Sequence, residues 1–331
     1  MKARFLVTLI LALPFCLAET PEPKQPKKAK KVFVDPAEAD KEADFKVQGE
    51  YTGKIGENIF GAHLISQGGG KFQVVVYPGG LPGNGWNDDR KIRVKTSAET
   101  KESETSFLTP KWKASIKDGV MTVLDAGGNA LGELKHVARK SPTLGKKPPE
   151  GAVILFDGSN VDQWKSGHMV DAKLLKEGAT SKQRFGDFVL HLEFRLPYKP
   201  FARSQNRGNS GCYILGLYEC QILDSFGLEG TNNECGAMYR FKTPDVNMCF
   251  PPLSWQTYDI DFTAAKFDQA GNKTSNAKIT VRHNDMLIHK DLELPSGTGA
   301  ARRRKETSTG PIHLQSHGNP VRFQNIWLVK K

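Results

Sequence analysis

The residues best suited to chemistry fall in two short alternating stretches. In Tyr218-Glu219-Cys220-Gln221-Ile222-Leu223-Asp224, Glu219 and Gln221 stand two positions apart. On a strand that spacing puts both on one face, roughly 6.5–7 Å apart. Asp224 has the opposite parity and joins them only where a bulge or strand end rotates it. Two carboxylates brought together can divide the work of base or nucleophile and acid. The second stretch is Ile312-His313-Leu314-Gln315-Ser316-His317-Gly318-Asn319, where His313, Gln315 and His317 share a face. Histidine can act as base or as metal ligand, though a lone strand histidine is more often structural. A charged outer sheet face would show the same alternation.

Two loops add polar groups. Arg207-Gly208-Asn209-Ser210-Gly211 precedes a strand and can aim Arg207 and Asn209 at hydroxyls or an oxyanion, though the same residues also suit an ordinary turn. Asn247 lies in the aperiodic, proline-punctuated run from Lys242 to Pro252, long enough to suggest a functional loop. No P-loop, dinucleotide fingerprint, HExxH or GxSxG occurs, so the sequence gives no support to nucleotide, zinc-protease or serine-hydrolase chemistry.

The elements that must position these groups read as strands throughout. Phe188, Leu190, Leu192 and Phe194 alternate with Val189, His191, Glu193 and Arg195, the pattern of a strand with one core face and one polar face. Gly211–Leu215 and Tyr218–Asp224 read as a hairpin about Gly216. Trp255–Phe262, Lys278–His283, Met286–Asp291 and Phe323–Val329 continue the set. Many strands, Gly/Pro turns and no convincing long helix predict an all-β chain, with a β-sandwich or jelly roll over 151–331. Upstream, Phe45, Val47 and Gly49, then Phe72–Tyr77, Trp112–Ile116 and Val120–Leu124 predict a small all-β accessory domain over 34–140. A linker is expected at 141–150, where Lys146-Lys147-Pro148-Pro149 breaks the pattern, and another at the Pro/Lys-rich 19–33.

Residues 1–18 read as a signal peptide, with Lys2 and Arg4 ahead of the apolar run Phe5–Leu17 and small residues before Glu19. The expected location is secreted or periplasmic, with cleavage after Ala18. The Phe5–Leu17 run is short for a membrane span, and no other long apolar run occurs. Five of the eleven net positive charges lie in the first 31 residues, and the run Arg302-Arg303-Arg304-Lys305 adds more. Aromatic residues are not interleaved with these charges, so a nucleic-acid groove is not expected. Cys212, Cys220, Cys235 and Cys249 follow no zinc spacing. Two disulfides in three connectivities, or four free buried thiols, are open; a hairpin about Gly216 can set Cys212 opposite Cys220, and Cys235 and Cys249 would then pair.

Taken in order, several segments resemble the 3-keto-disaccharide hydrolase domain family. They are Leu155-Phe156-Asp157-Gly158 with Trp164, Gly186-Asp187-Phe188 with Glu193-Phe194, Arg207–Gly211, and Tyr218–Asp224. Pro244–Cys249, Trp255–Asp259, Val281–Asn284 and His317–Trp327 follow. The resemblance spans nearly all of 151–331. Cys212 and Cys220 stand where that family usually has an aliphatic residue. It implies a concanavalin-like sandwich and action on sugars oxidised at C3. There a base removes the C2 hydrogen, the C1 substituent leaves, and water adds back. A carbohydrate, a 3-keto-glycoside or polysaccharide, is the implied partner, and a divalent metal could steady the oxyanion. Glu219 or His317 is the expected base. Asp224 or Glu193 is the expected second carboxylate or metal ligand. Arg207, Asn209, Gln221 and Asn319 would bind hydroxyls. Alternatives are an ordinary glycoside hydrolase working through Glu219 and Asp224, whose spacing is similar to the E-x-D-x-x-E strand of laminarinase-type glucanases, and a non-catalytic lectin module.

Overall fold

The computed structural model describes residues 31–331, so the signal-peptide reading and most of the 19–33 linker lie outside the described residues. The chain is nearly all β, as expected. Eight antiparallel strands from Gly49–Ile55 to Ala130–Val137 pair in chain order, and the last pairs with the first to close a barrel. Closure leaves no unpaired edge. Tyr51, Leu64, Phe72, Val74, Phe107, Ile116 and Met121 fill its interior. Where first and last strands meet, a Cβ on Gly53 would fall 2.0 Å from the Glu133 carbonyl oxygen, so only glycine permits the approach.

Two expectations upstream need correction. Phe45 and Val47 lie on a short helix, Ala43–Val47, and not on a strand. It follows another, Pro36–Ala39, whose Asp35 cap accepts from the Ala37 N–H and whose proline sits in the first turn. Phe33, read as linker, pairs with Tyr198 and packs beside Ala39 and Leu253.

Residues 151–331 form two large antiparallel sheets face to face, together with a small two-stranded ribbon, Lys266–Phe267 against Lys273–Ser275. The eight-stranded sheet holds Phe188–Arg195 between Trp255–Thr263 and Arg322–Lys330. The five-stranded sheet carries Ser210–Ile214 hairpinned to Tyr218–Ile222, with His313–Leu314 on its other side. Phe188, Leu190, Leu192, Phe194, Ile214, Ile222 and Leu314 form the core between them.

The barrel and the sandwich share a buried seam. Phe226 joins Ile65, Val75 and Tyr77, and His63 stacks on it at 4.4 Å. Arg139 grips Glu50 at 2.7 and 2.5 Å, and His63 reaches Glu50 at 3.1 Å. Those contacts hold the Glu50 carboxyl down at about 2 against its burial.

The segment 141–150 is not a free tether at its start. Thr143 donates to Asp259 at 2.8 Å, the Gly145 N–H reaches Glu193 at 2.6 Å, and the Lys146 carbonyl accepts from Asn325 and Trp327. It therefore straps the outer face of the large sheet and buries His191 and Glu193, which sequence alternation had left facing solvent.

The disulfide expectation is also corrected. Cys212 does face Cys220 across the hairpin, but all four cysteines are free and buried. Their side chains point into the apolar layer between the sheets, where aliphatic residues would serve. Burial pushes the Cys212 thiol up to about 12, so it packs as a small hydrophobe.

Candidate functional site

Parity along the hairpin decides what faces outward. Cys212, Ile214, Cys220 and Ile222 point into the core, so Gly211, Tyr213, Glu219 and Gln221 share the opposite face. Over that face lies a cavity of about 650 Å³. Its walls come from four further segments: Gln205–Asn209, Tyr239–Arg240, Gly299–Arg302 and Gln315–His317. Residues 236–239 run along the outer hairpin strand, with Gly236 N–H on the Gln221 carbonyl and Tyr239 N–H on that of Glu219. His289 anchors the same segment by donating to the Gly236 carbonyl at 2.8 Å.

Glu219 is the one carboxylate among the described lining residues, and it is 2% exposed. Tyr213, directly opposite in register, donates to its Oε2 at 2.7 Å, and Gln315 in turn donates to the Tyr213 oxygen at 3.3 Å. The carboxyl nests against glycine: a Cβ on Gly211 would come within 2.5 Å of Oε1. Burial outweighs the tyrosine hydrogen bond and pushes the Glu219 pKa up to about 7. Near neutrality such a group is poised to accept or return a proton.

Amides form the other wall. Gln221 donates to Gln205 at 3.2 Å and Asn209 donates to the same oxygen at 3.1 Å. The Oε1 atoms of Gln221 and Gln315 are buried and have no partner among the described residues. Two unpaired acceptors at a cavity wall suit a ligand rich in O–H donors. His317 stands exposed at the rim, and Asn319 donates to its carbonyl at 3.1 Å, so Asn319 shapes the loop from a buried position.

The structure thus brings Glu219, Gln221, Asn209 and His317 together and places the other expected site residues elsewhere. Asp224 accepts from Arg207 at 2.7 Å, and Arg207 also reaches the Ser66 carbonyl of the barrel. Both are buried, so this pair pins the two parts of the chain together. Glu193 lies on the other sheet, its oxygens taken by Gly145, Gln324, Asn325 and His191. Asn247 bonds the Ser225 and Leu228 carbonyls and caps Cys249, which makes its loop a core-packing element. His313 shares the sheet face but is engaged by Thr180 at 2.8 Å. Among the described residues no three His, Cys, Asp or Glu side chains gather as metal ligands. The cavity's one carboxylate and one histidine are therefore a poor fit to a divalent ion.

Tyr213, Tyr239, Arg240 and Arg302 were not foreseen as site residues. Hairpin register alone would have found Tyr213, since it faces Glu219. The other three arrive on loops that no periodicity marks.

Residues 151–329 match the 3-keto-alpha-glucoside-1,2-lyase-like domain family. The chain is also similar to the crystal structure of a candidate glycosyl hydrolase from Parabacteroides distasonis ATCC 8503. Identity is 30%, the TM-score is 0.52, and the match covers 55% of this chain and 85% of that one. A second candidate glycosyl hydrolase from the same organism is 17% identical, with a TM-score of 0.42, over 55% of this chain and 94% of that one. No curated protein matches.

Proposed function

Since this carbohydrate-active chain belongs to the 3-keto-alpha-glucoside-1,2-lyase-like domain family, we propose that it cleaves 3-keto-glycosides by elimination and rehydration, with Glu219 as the base. The observation that carries this is a lone buried carboxylate, raised to about 7, facing an open polar cavity. The C3 ketone acidifies the C2 hydrogen. Glu219 takes that proton, and the C–H electron pair forms C2=C3 while the carbonyl oxygen becomes an enolate. Collapse of the enolate restores C3=O, forms C1=C2 and breaks the C1–O bond, whose electron pair leaves on the aglycone oxygen. That oxygen takes a proton. Water then adds across C1=C2, with hydroxyl to C1 and hydrogen to C2.

Tyr213 holds Glu219 in place, while Gln221, Asn209 and Gln315 offer amide groups to sugar hydroxyls. His317 at the rim is the candidate acid for the leaving oxygen. Hydrolysis by two carboxylates needs a partner for Glu219 across the glycosidic bond. Asp224 is buried against Arg207 and lines no part of the cavity, which favours elimination.

The test compares a 3-keto-glucoside with its unoxidised parent. Turnover of the first, little of the second, and loss of C2 deuterium to solvent are expected. Glu219→Gln should lower the rate by about 10²–10⁴. Turnover of the parent with C2 deuterium retained would support direct displacement instead, and binding without turnover of either would support a lectin.

A further inference from the structure

Charge along the cavity wall is lopsided. Two guanidinium groups, Arg240 and Arg302, line it, against the single carboxyl of Glu219. Their basic neighbours find acidic partners: Lys242 lies 3.9 Å from Asp245, and Lys273 lies 2.7 Å from Glu306. Among the described residues no carboxylate lies within ion-pair distance of Arg240 or Arg302. The nearby Glu234 is engaged by the N–H groups of Gly230 and Thr231.

The two arginines are also set in place by backbone. Arg240 follows the segment paired along the hairpin, has φ 55°, donates its N–H to the Asn232 carbonyl at 2.7 Å, and lays its guanidinium over the Tyr239 ring at 5.4 Å. Arg302 closes the short turn Gly299–Ala301. That turn packs closely on Tyr239, since a Cβ on Gly299 would meet its ring at 2.7 Å. Unpaired guanidinium groups held at a cavity wall are the usual receptor for a carboxylate or sulfate. Gln221 and Gln315, whose Oε1 atoms have no partner among the described residues, line the same cavity.

We infer that this site is built for anionic saccharides, with Arg240 and Arg302 binding a carboxylate or sulfate borne by the sugar. The inference rests on reading the cavity as a saccharide site, and it does not depend on which bond is cleaved.

Equilibrium binding tests it apart from turnover. Titration calorimetry at 50 mM salt with unoxidised cellobiose, its uronic acid and its 6-sulfate would compare one neutral and two anionic ligands. The anionic ligands should bind at least about tenfold more tightly than cellobiose. The preference should shrink as salt rises. Arg240→Gln and Arg302→Gln should each reduce the anionic-to-neutral ratio several-fold, and Arg240→Lys and Arg302→Lys should restore part of it. The uronate and sulfate arms show which anion is preferred. Equal affinity for neutral and anionic ligands, a ratio unmoved by both glutamine variants, or no binding of either anionic ligand at 10 mM would overturn the inference. Failure to turn over any 3-keto-glycoside would count against the proposed reaction alone.

Discussion

Replacing Glu219 by Gln should make the protein more stable and less active at the same pH. The side chain is 2% exposed, and burial raises its pKa from 4.5 to about 7. Unfolded, the carboxyl releases its proton near 4.5; folded, it keeps that proton to about 7. Between those values the native state binds more protons, so its stability falls as pH rises. The shift corresponds to about 3 kcal/mol at 1.36 kcal/mol per unit, all of it levied by pH 8. The amide that replaces the carboxyl has nothing to ionise. Urea unfolding at pH 4 and pH 8 should therefore show the variant gaining about 3 kcal/mol on the wild type between the two. Activity has the opposite sign, because the base must be ionised. The wild-type kcat/KM on a 3-keto-glucoside should climb tenfold per pH unit below about 7 and level off above it. Parallel stability curves for wild type and variant would refute the burial argument, even with activity lost.

Tyr213→Phe removes the hydrogen bond that holds the Glu219 pKa down; the midpoint of the pH–rate profile should move above the wild-type value, and an unmoved midpoint would remove Tyr213 from the site. Asp224→Asn leaves Arg207 charged and buried, which should cost about 3–5 kcal/mol in denaturant unfolding while the folded fraction keeps its kcat. Alkylation and peptide mapping should find Cys212, Cys220, Cys235 and Cys249 unmodified in the native protein and all four labelled after unfolding without reductant; recovery of any bridged pair would contradict the structure. We propose export through residues 1–18, and mass spectrometry of exported material should find a start near Glu19; an intact Met1 would end that proposal.

Strand parity made the heart of the site legible. Glu219 and Gln221 alternate with core residues, and that alone puts them on the outward face. Parity failed for Glu193 and His191, because the covering strap comes from residues far away in sequence. Asp224 and Asn247 misled for a related reason. A buried charge or amide needs a partner, and theirs come from Arg207 and from backbone carbonyls that no local pattern announces. Strand composition predicted an all-β segment before residue 140, but closure into a barrel depends on pairing between its first and last strands, over 75 residues apart at their starts. Phe45 and Val47 mimicked strand alternation by chance, and their helix, Ala43–Val47, has no side-chain cap to announce it; Asp35 and Pro36 signal only the helix before it.

The strap has a consequence for reach. A module on a loose tether samples many positions, and the local concentration of its ligand depends on tether length. Here residues 143–146 are fastened to Asp259, Glu193, Asn325 and Trp327, and Phe226 is buried against Ile65, Val75 and Tyr77 of the barrel. Anything bound on the barrel's outer wall would be presented to the Glu219 cavity at one distance and one bearing. Any ligand long enough to touch both would have to match that spacing.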